Sequence, residues 1–422
     1  MTGAQLSVAF FLQVALIIAT CRVVGWCVKR WLGQPQVVGE MIAGVLLGPS
    51  VLGALFPDAA AALFPEESRK VLYVGAQFGV GLYMFIVGLT FDRREFAASA
   101  RGAAVVATGG MVVPFLAAAA LVPWLIRVPG LFTPQVGTLQ AMQFLGAAIA
   151  ITAFPMLARI IHEQGIGGTR LGVIALSAGA IGDAGAWIVI AFVLASLGEG
   201  SGVAIRALGG GLGFALVMLL LAPRALRILE RLVRPGQENE ELLIAAALVL
   251  FALCAWAMDA AGIHAVFGGF LLGVAMPRGA VADTIRARLE PFTVVFLLPL
   301  FFTFSGLNTN LRVMQSASLI EVALAVVAVS ILAKGGACYL AARASGEDHR
   351  TALGIGALMN ARGLMELIII NIGLQRGVIG PPLFAILVLM AIVTTLLASP
   401  LYQWSRRQRP ASGSAIASGS SA

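Results

Sequence analysis

Apolar runs long enough to cross a bilayer recur along almost the whole chain, and little is left over to build anything else. Thirteen of them stand at 5–28, 36–54, 71–91, 102–126, 140–162, 170–197, 203–222, 242–262, 264–277, 292–307, 317–343, 351–375 and 380–403. Spanning the hydrocarbon takes about 20 apolar residues as a helix, so the chain is predicted to be an all-α polytopic membrane protein of about 13 transmembrane helices. The 264–277 run is short and glycine-rich. Charged residues make up 11% of the chain and hydrophobic ones 59%, whereas a soluble domain is roughly 25% charged. No water-exposed surface can be built from that inventory. A soluble enzyme, a nucleic-acid reader and a single-span receptor with a large ectodomain are excluded, and no nucleic-acid partner is expected. Residues 1–403 read as a single transmembrane domain, and the Ser/Gly/Ala-rich segment 404–422 as a disordered cytoplasmic tail.

The formal net charge of +8 is an address for topology. With the N-terminus placed outside, the inside loops hold 20 Lys and Arg and the outside loops 6, alternating at every loop. The remaining two, Lys334 and Arg362, fall within spans. An odd number of spans is needed to keep the alternation, which sets the N-terminus out and the C-terminus in.

An odd count also allows two copies of a six-span unit to be inverted about a single connecting span. The second run contains Gly44-Val-Leu-Leu-Gly48-Pro49, and the ninth contains Gly269-Phe-Leu-Leu-Gly273. The third contains Phe85-Ile-Val-Gly88-Leu89, and the tenth contains Thr303-Phe-Ser-Gly306-Leu307. Both pairs lie seven spans apart in the same order. This predicts repeat one at about 5–197, a linker helix at 203–222 and repeat two at about 242–403.

Ionisable groups inside a span cost several kcal/mol unless paired or hydrated, which makes each a functional candidate. Asp183 qualifies in the sixth run, Lys334 in the eleventh, and Arg362 with Glu366 in the twelfth. Glu40, Asp259 and Glu321 lie near span ends, where hydration is the expected explanation. Asp183 is flanked by small residues that leave room for water or an ion, and its carboxylate can hold a proton or a desolvated cation but not both. Lys334 is placed to compensate that charge, and a structural partner for Asp183 is the competing reading. Arg362 and Glu366 are i,i+4 and can pair on one helical face. Asn360 and Gly363 beside them make an unwound turn available in the twelfth run. Seven spans earlier the fifth run carries Thr152 and Pro155 in mid-span, and Pro155 removes a backbone donor. Interrupted helices at matching positions of two halves point to a transport site. Their freed carbonyls, with the Thr152 hydroxyl, suit a desolvated monovalent cation. The four cysteines form no CxxC pair and only three His are present, so no resident metal and no cofactor are expected.

Taken together, these phrases resemble the monovalent cation:proton antiporters. They are closest to the second branch, which includes Kef-type potassium efflux systems, plant cation/H⁺ exchangers and NapA-like sodium/proton exchangers. The matching stretches run through Gln34-Pro-Gln-Val-Val-Gly-Glu40, Leu47-Gly-Pro-Ser50, Phe85-Ile-Val-Gly-Leu89 and Ile151-Thr-Ala-Phe-Pro-Met-Leu-Ala-Arg159. They continue with Asp183, Ala186-Trp187, His264-Ala-Val-Phe-Gly-Gly269, Leu298-Pro-Leu-Phe-Phe302, Ser305-Gly-Leu307 and Ala361-Arg-Gly-Leu-Met-Glu-Leu367. The resemblance implies an inverted-repeat fold like that of NhaA and NapA, with a panel part, a core part, crossed unwound helices and an elevator-like cycle in a homodimer. It puts the essential ion-binding aspartate at Asp183 and the core lysine at Lys334. Electrogenic members carry a second acid immediately before that aspartate, and this chain has Gly182 there.

The implied activity is exchange of Na⁺ or K⁺ for H⁺, electroneutral because the second acid is absent. Two other readings stay open on sequence. One is an uncoupled sensor or gated ion pathway on the same fold, the other an exporter of an organic ion or an ionophore–cation complex. No nucleotide-binding domain is expected in this chain, since only 404–422 follow the last run and no GxGxxG lies in a strand–helix setting.

Overall fold

The structure is a computed structural model that describes residues 2–34, 36–91, 93–194, 201–233, 239–261, 265–308, 316–363, 366, 369–370, 373–374 and 376–407. Side chains at 93–99, 155, 183–184, 186–194, 201–208, 232–233 and 407 fall outside that description. The regular elements of the described chain are all helices. In order it forms α1 (Gly3–Leu32), α2 (Gln36–Leu47), α3 (Glu66–Thr90), α4 (Arg93–Leu125), α5 (Thr138–Ala150), α6 (Phe154–Glu163) and α7 (Arg170–Leu194). Then come α8 (Ser201–Leu216), α9 (Glu240–Ala260), α10 (Ala265–Ala275), α11 (Ala280–Phe292) and α12 (Leu298–Leu307). The chain closes with α13 (Ala317–Ser330), α14 (Ala337–Ala344), α15 (His349–Leu358) and α16 (Pro381–Arg407). Short π segments join α11 to α12 at Thr293–Leu297 and α13 to α14 at Ile331–Gly336.

Among the described residues, nine helices are long and apolar enough to cross a membrane, and Thr138–Ala150, Arg170–Gly182 and Ala265–Ala275 are shorter apolar helices. Several boundaries differ from the sequence reading, the start of the tenth run most. The tenth run was expected to begin at 292, but its helix begins at Ala280. The extra turns are amphipathic, burying Val281, Ala282, Ile285 and Leu289 while carrying Asp283, Arg286, Arg288 and Glu290. A hydropathy count alone passes over such a stretch. At the other end, α16 continues helically to Arg407, so the segment expected as tail from 404 begins as helix, and 408–422 lie outside the described residues.

The helices sort into two bundles. α1, α2, α3, α9, α10, α11 and α12 pack on one another and form the panel bundle. α4, α5, α7, α13, α14, α15 and α16 form the other, and α6 attaches to it through α7. This is the core bundle. Three panel segments and then three core segments precede α8, and the same order follows it.

Glycines fix the panel geometry, and they do so reciprocally. A Cβ on Gly306 would lie 2.0 Å from the carbonyl carbon of Gly44, and one on Gly48 would lie 2.4 Å from the Gly306 oxygen. In the other half, a Cβ on Gly273 would lie 2.2 Å from the Phe85 oxygen, and one on Gly88 would lie 2.4 Å from the Phe270 oxygen. Real side chains cannot approach so closely, so only glycine lets these backbones touch. The second run of each half therefore packs on the third run of the other. The two glycine motifs thus meet crosswise.

Candidate ion-exchange site

Two breaks define the centre of the core bundle. α5 ends at Ala150, residues 151–153 are extended, and α6 restarts with Pro155 in its first turn, where a missing N–H costs nothing. α15 ends at Leu358, the chain is non-helical through Gly363, and helix has resumed at Glu366. The breaks cross and bond to each other. Ala153 N–H donates to the Ala361 oxygen at 3.1 Å, and the buried Thr152 hydroxyl points at the Met359 oxygen from 3.5 Å.

A helix that stops inside a bilayer leaves its last carbonyls without partners, at the negative end of its dipole. Two buried cations take them. Arg362 is fully buried, and its guanidinium donates to the oxygens of Ala148 and Ile149, both at 2.8 Å. Lys334 Nζ donates to the Ala150 oxygen and, at 3.0 Å, to the Gly110 oxygen of α4. Lys334 reaches this point from the π segment between α13 and α14; such local insertions often mark functional positions. Arg362 also pairs with Glu366, at 3.3 Å, with both side chains fully buried. The expected i,i+4 pair is present, but its carbonyl contacts are the shorter ones.

The remaining members organise the second break. Asn360 donates from Nδ2 to the Gly356 oxygen at 3.0 Å, and Arg362 N–H donates to the Thr395 hydroxyl at 2.8 Å. Gly335 lets Asn360 approach, since a Cβ there would lie 2.3 Å from Asn360 Nδ2. Gly363 lies against α6, where a Cβ would meet Ala153 Cβ at 3.1 Å. Among the described residues Asn360 Oδ1 and Glu366 Oε2 are buried and accept no hydrogen bond. Oxygens so placed suit a hard monovalent cation. No group of three or more His, Cys, Asp or Glu capable of holding a metal ion occurs among the described residues.

Asp183 lies on α7, which packs on α4, α5 and α15, the helices that carry the Lys334 and Arg362 contacts and the break. Its side chain lies outside the described residues, as does the pairing with Lys334 that the sequence left open.

Glu40 corrects the sequence reading. It was assigned to a hydrated span end, yet its side chain is fully buried. The cause is close packing: a Cβ on the adjacent Gly39 would lie 2.4 Å from Gly25 Cα, which presses α2 onto α1. Glu40 finds charge instead of water, since Arg159, Glu163 and Arg22 act on it and Gln36 contacts it at 3.4 Å. Asp259 and Glu321 are exposed, and Asp259 accepts from Ala265 N–H, at the start of α10, at 2.9 Å. Sequence reasoning counted Arg159 only among the inside basic residues and the family phrase, and did not single out His162. Their i,i+3 spacing on a half-helix following a break was the signal available.

A cavity of about 410 Å³ opens between the bundles beside α6, lined by Tyr83, Thr90, His162, Arg286 and Glu290 among others. A second crevice next to the breaks, between Met41, Phe302, Met156 and Gly363, holds about 30 Å³ and is lined almost wholly by apolar atoms.

The chain matches the family model described as sodium/hydrogen exchanger, transmembrane, over residues 15–404. It belongs to the sodium/hydrogen exchanger family. As a member of this exchanger family it is an integral multi-pass membrane protein and a cation:proton exchanger, not an enzyme. It is similar to the Na(+)/H(+) antiporter NhaS4 of Synechocystis sp., 34% identical, over 92% of this chain and 95% of the relative. It is equally similar to the Cation/H(+) antiporter 18 of Arabidopsis thaliana, 34% identical over 94% of this chain, but spans only 49% of that relative's length. Among solved structures, the sodium proton antiporter MjNhaP1 from Methanocaldococcus jannaschii matches with a TM-score of 0.63 at 15% identity, over 93% of this chain and 97% of that one. That likeness shows the exchanger fold.

Proposed function

We propose that the chain exchanges Na⁺ or K⁺ for H⁺ electroneutrally, by alternating access around Asp183. The observation that carries this reading is the pair of crossed breaks whose stranded carbonyls are held by Lys334 and Arg362. The two cations fix a helix end on the packing partner of α7, and in this reading their positive charge offsets the carboxylate when it is empty. Cation arrival at Asp183 then displaces a proton, and the oxygens of Thr152 and Asn360 complete its coordination. With Gly182 in place of a second acid, one charge enters for one that leaves.

The bundle division supports motion of the core against the panel, because contact between them is sparse and concentrated on α6. The large cavity lies on the arginine-rich side that basic-residue asymmetry assigns to the cytoplasm. The opposite crevice is nearly closed, so the arrangement is read as inward-facing. Thirteen spans with the N-terminus out, and a homodimer, belong to the same reading. Everted vesicles carrying Asp183→Asn should show no cation-induced dequenching of a pH-sensitive dye. Exchange at the parent rate in that variant would sink the proposal.

A further inference from the structure

α6 carries Arg159, His162 and Glu163 at i, i+3 and i+4, which puts them on one side of a rigid ten-residue helix. The same half-helix is where the core bundle rests on α2 and α3 of the panel. Arg159 is 5% exposed, and its Nε stands 2.6 Å from Glu163 Oε1. Across the bundle boundary it faces Tyr83 of α3 and the fully buried Glu40 of α2. One turn on, His162 Nε2 lies 3.5 Å from Glu290 Oε1 on α11, and Arg286 holds that carboxylate at 2.7 Å. None of these groups has a part in binding at the breaks. Arg159 and Glu40 are buried, where charges act strongly on one another and are costly to separate without new partners, whereas His162 and Arg286 are partly exposed. Because the core-side members share one helix, a shift of a few ångströms between the bundles disturbs the contacts that cross the boundary together, while the Arg159–Glu163 and Arg286–Glu290 pairs each stay within one helix.

We infer that this stripe is an electrostatic latch, with Arg159 of the core held by Glu40 and Tyr83 of the panel and His162 held by Glu290. It stabilises the inward-facing arrangement and sets how readily the core leaves it. Arg159 and Glu40 are thus positioning residues for exchange, acting on the bundles and not on the ion. The inference rests on the alternating-access reading. Glu40 is the better handle, since its removal leaves Arg159 paired with Glu163 and spares the fold.

The test uses the full chain in everted vesicles with Val87→Cys on the cavity wall. Its labelling rate by a membrane-impermeant charged maleimide reports cytoplasmic opening, and vesicles without the added cysteine set the background. Glu40→Gln is expected to slow labelling at least about fivefold as the population leaves the inward state. Arg159→Gln should do the same, and the double variant should be no slower than either single one. Arg159→Lys, which keeps the charge, should stay within about twofold of the parent. Labelling by Glu40→Gln within about twofold of the parent, or additive effects in the double variant, overturns the latch. An Arg159→Gln protein that aggregates leaves the decision to Glu40→Gln and Arg159→Lys. If the parent cysteine itself is not labelled from the cytoplasmic side, the inward-facing reading fails instead.

Discussion

Arg362→Met is predicted to cost the fold more than Glu366→Met, although the two residues form one buried ion pair. Removing Arg362 strands the carbonyls of Ala148 and Ile149, and an unsatisfied buried group costs about 1–3 kcal/mol. It also leaves the buried Glu366 with Lys334 as its remaining cationic neighbour. Removing Glu366 forfeits one contact at 3.3 Å, while both carbonyl bonds at 2.8 Å remain and the guanidinium keeps the negative end of α5 for company. The two stranded carbonyls set the difference at about 2–6 kcal/mol. For a chain of 422 residues, the per-residue entropy of unfolding converts 1 kcal/mol to on the order of 1 °C. Thermal unfolding in matched detergent should therefore put Arg362→Met about 2–6 °C below Glu366→Met. Arg362→Lys, with charge but no fork, should fall between them. Equal melting temperatures for the two methionine variants would refute the reasoning, because the pair alone would then account for the burial of Arg362.

The other predictions concern separate parts of the structure. Gly306→Ala places a Cβ 2.0 Å from the Gly44 carbonyl carbon, so it should force α12 off α2, destabilise by about 1–3 kcal/mol or more and lower the yield of monodisperse protein in gel filtration. Gly182→Asp meets no described atom within 4 Å, so it should fold; it should also make exchange in proteoliposomes respond to an imposed membrane potential, to which the parent should be indifferent. Asp348 caps α15, and the Thr351 hydroxyl together with the Thr351 and Arg350 N–H groups holds its carboxyl below the usual range. Asp348→Ala should cost about 1 kcal/mol at neutral pH. Because the folded value is the lower one, that contribution is full above about pH 4 and fades as pH falls through it, which melting curves of both proteins against pH would show.

Much of the fold could be read from the chain because its causes are local. Apolar run length fixes a spanning helix, and basic residues mark one side of the membrane. The glycine phrases at Gly44, Gly88, Gly273 and Gly306 suggested repetition, and in the structure these glycines are where two pairs of helices bring their backbones into contact. Lys334, Arg362 and Glu366 were found because a charge in a span needs a reason. What they bond was not legible. Arg362 looked like half of an ion pair, whereas its shorter bonds go to a helix end more than 200 residues away in sequence. Glu40 was misassigned for a related cause: span depth read from one helix says nothing about the neighbour that Gly39 and Gly25 bring against it. The amphipathic start of α11 escaped because hydropathy averages away one buried face.

The account turns on a proton and a cation competing for Asp183, and the most direct test is the cation dependence of exchange in proteoliposomes measured at a series of pH values. Competition predicts that the apparent KM for Na⁺ or K⁺ rises about tenfold for each pH unit on the acid side while the maximal rate holds. A KM that stays flat while the maximal rate falls would mean that the two ions do not share the site.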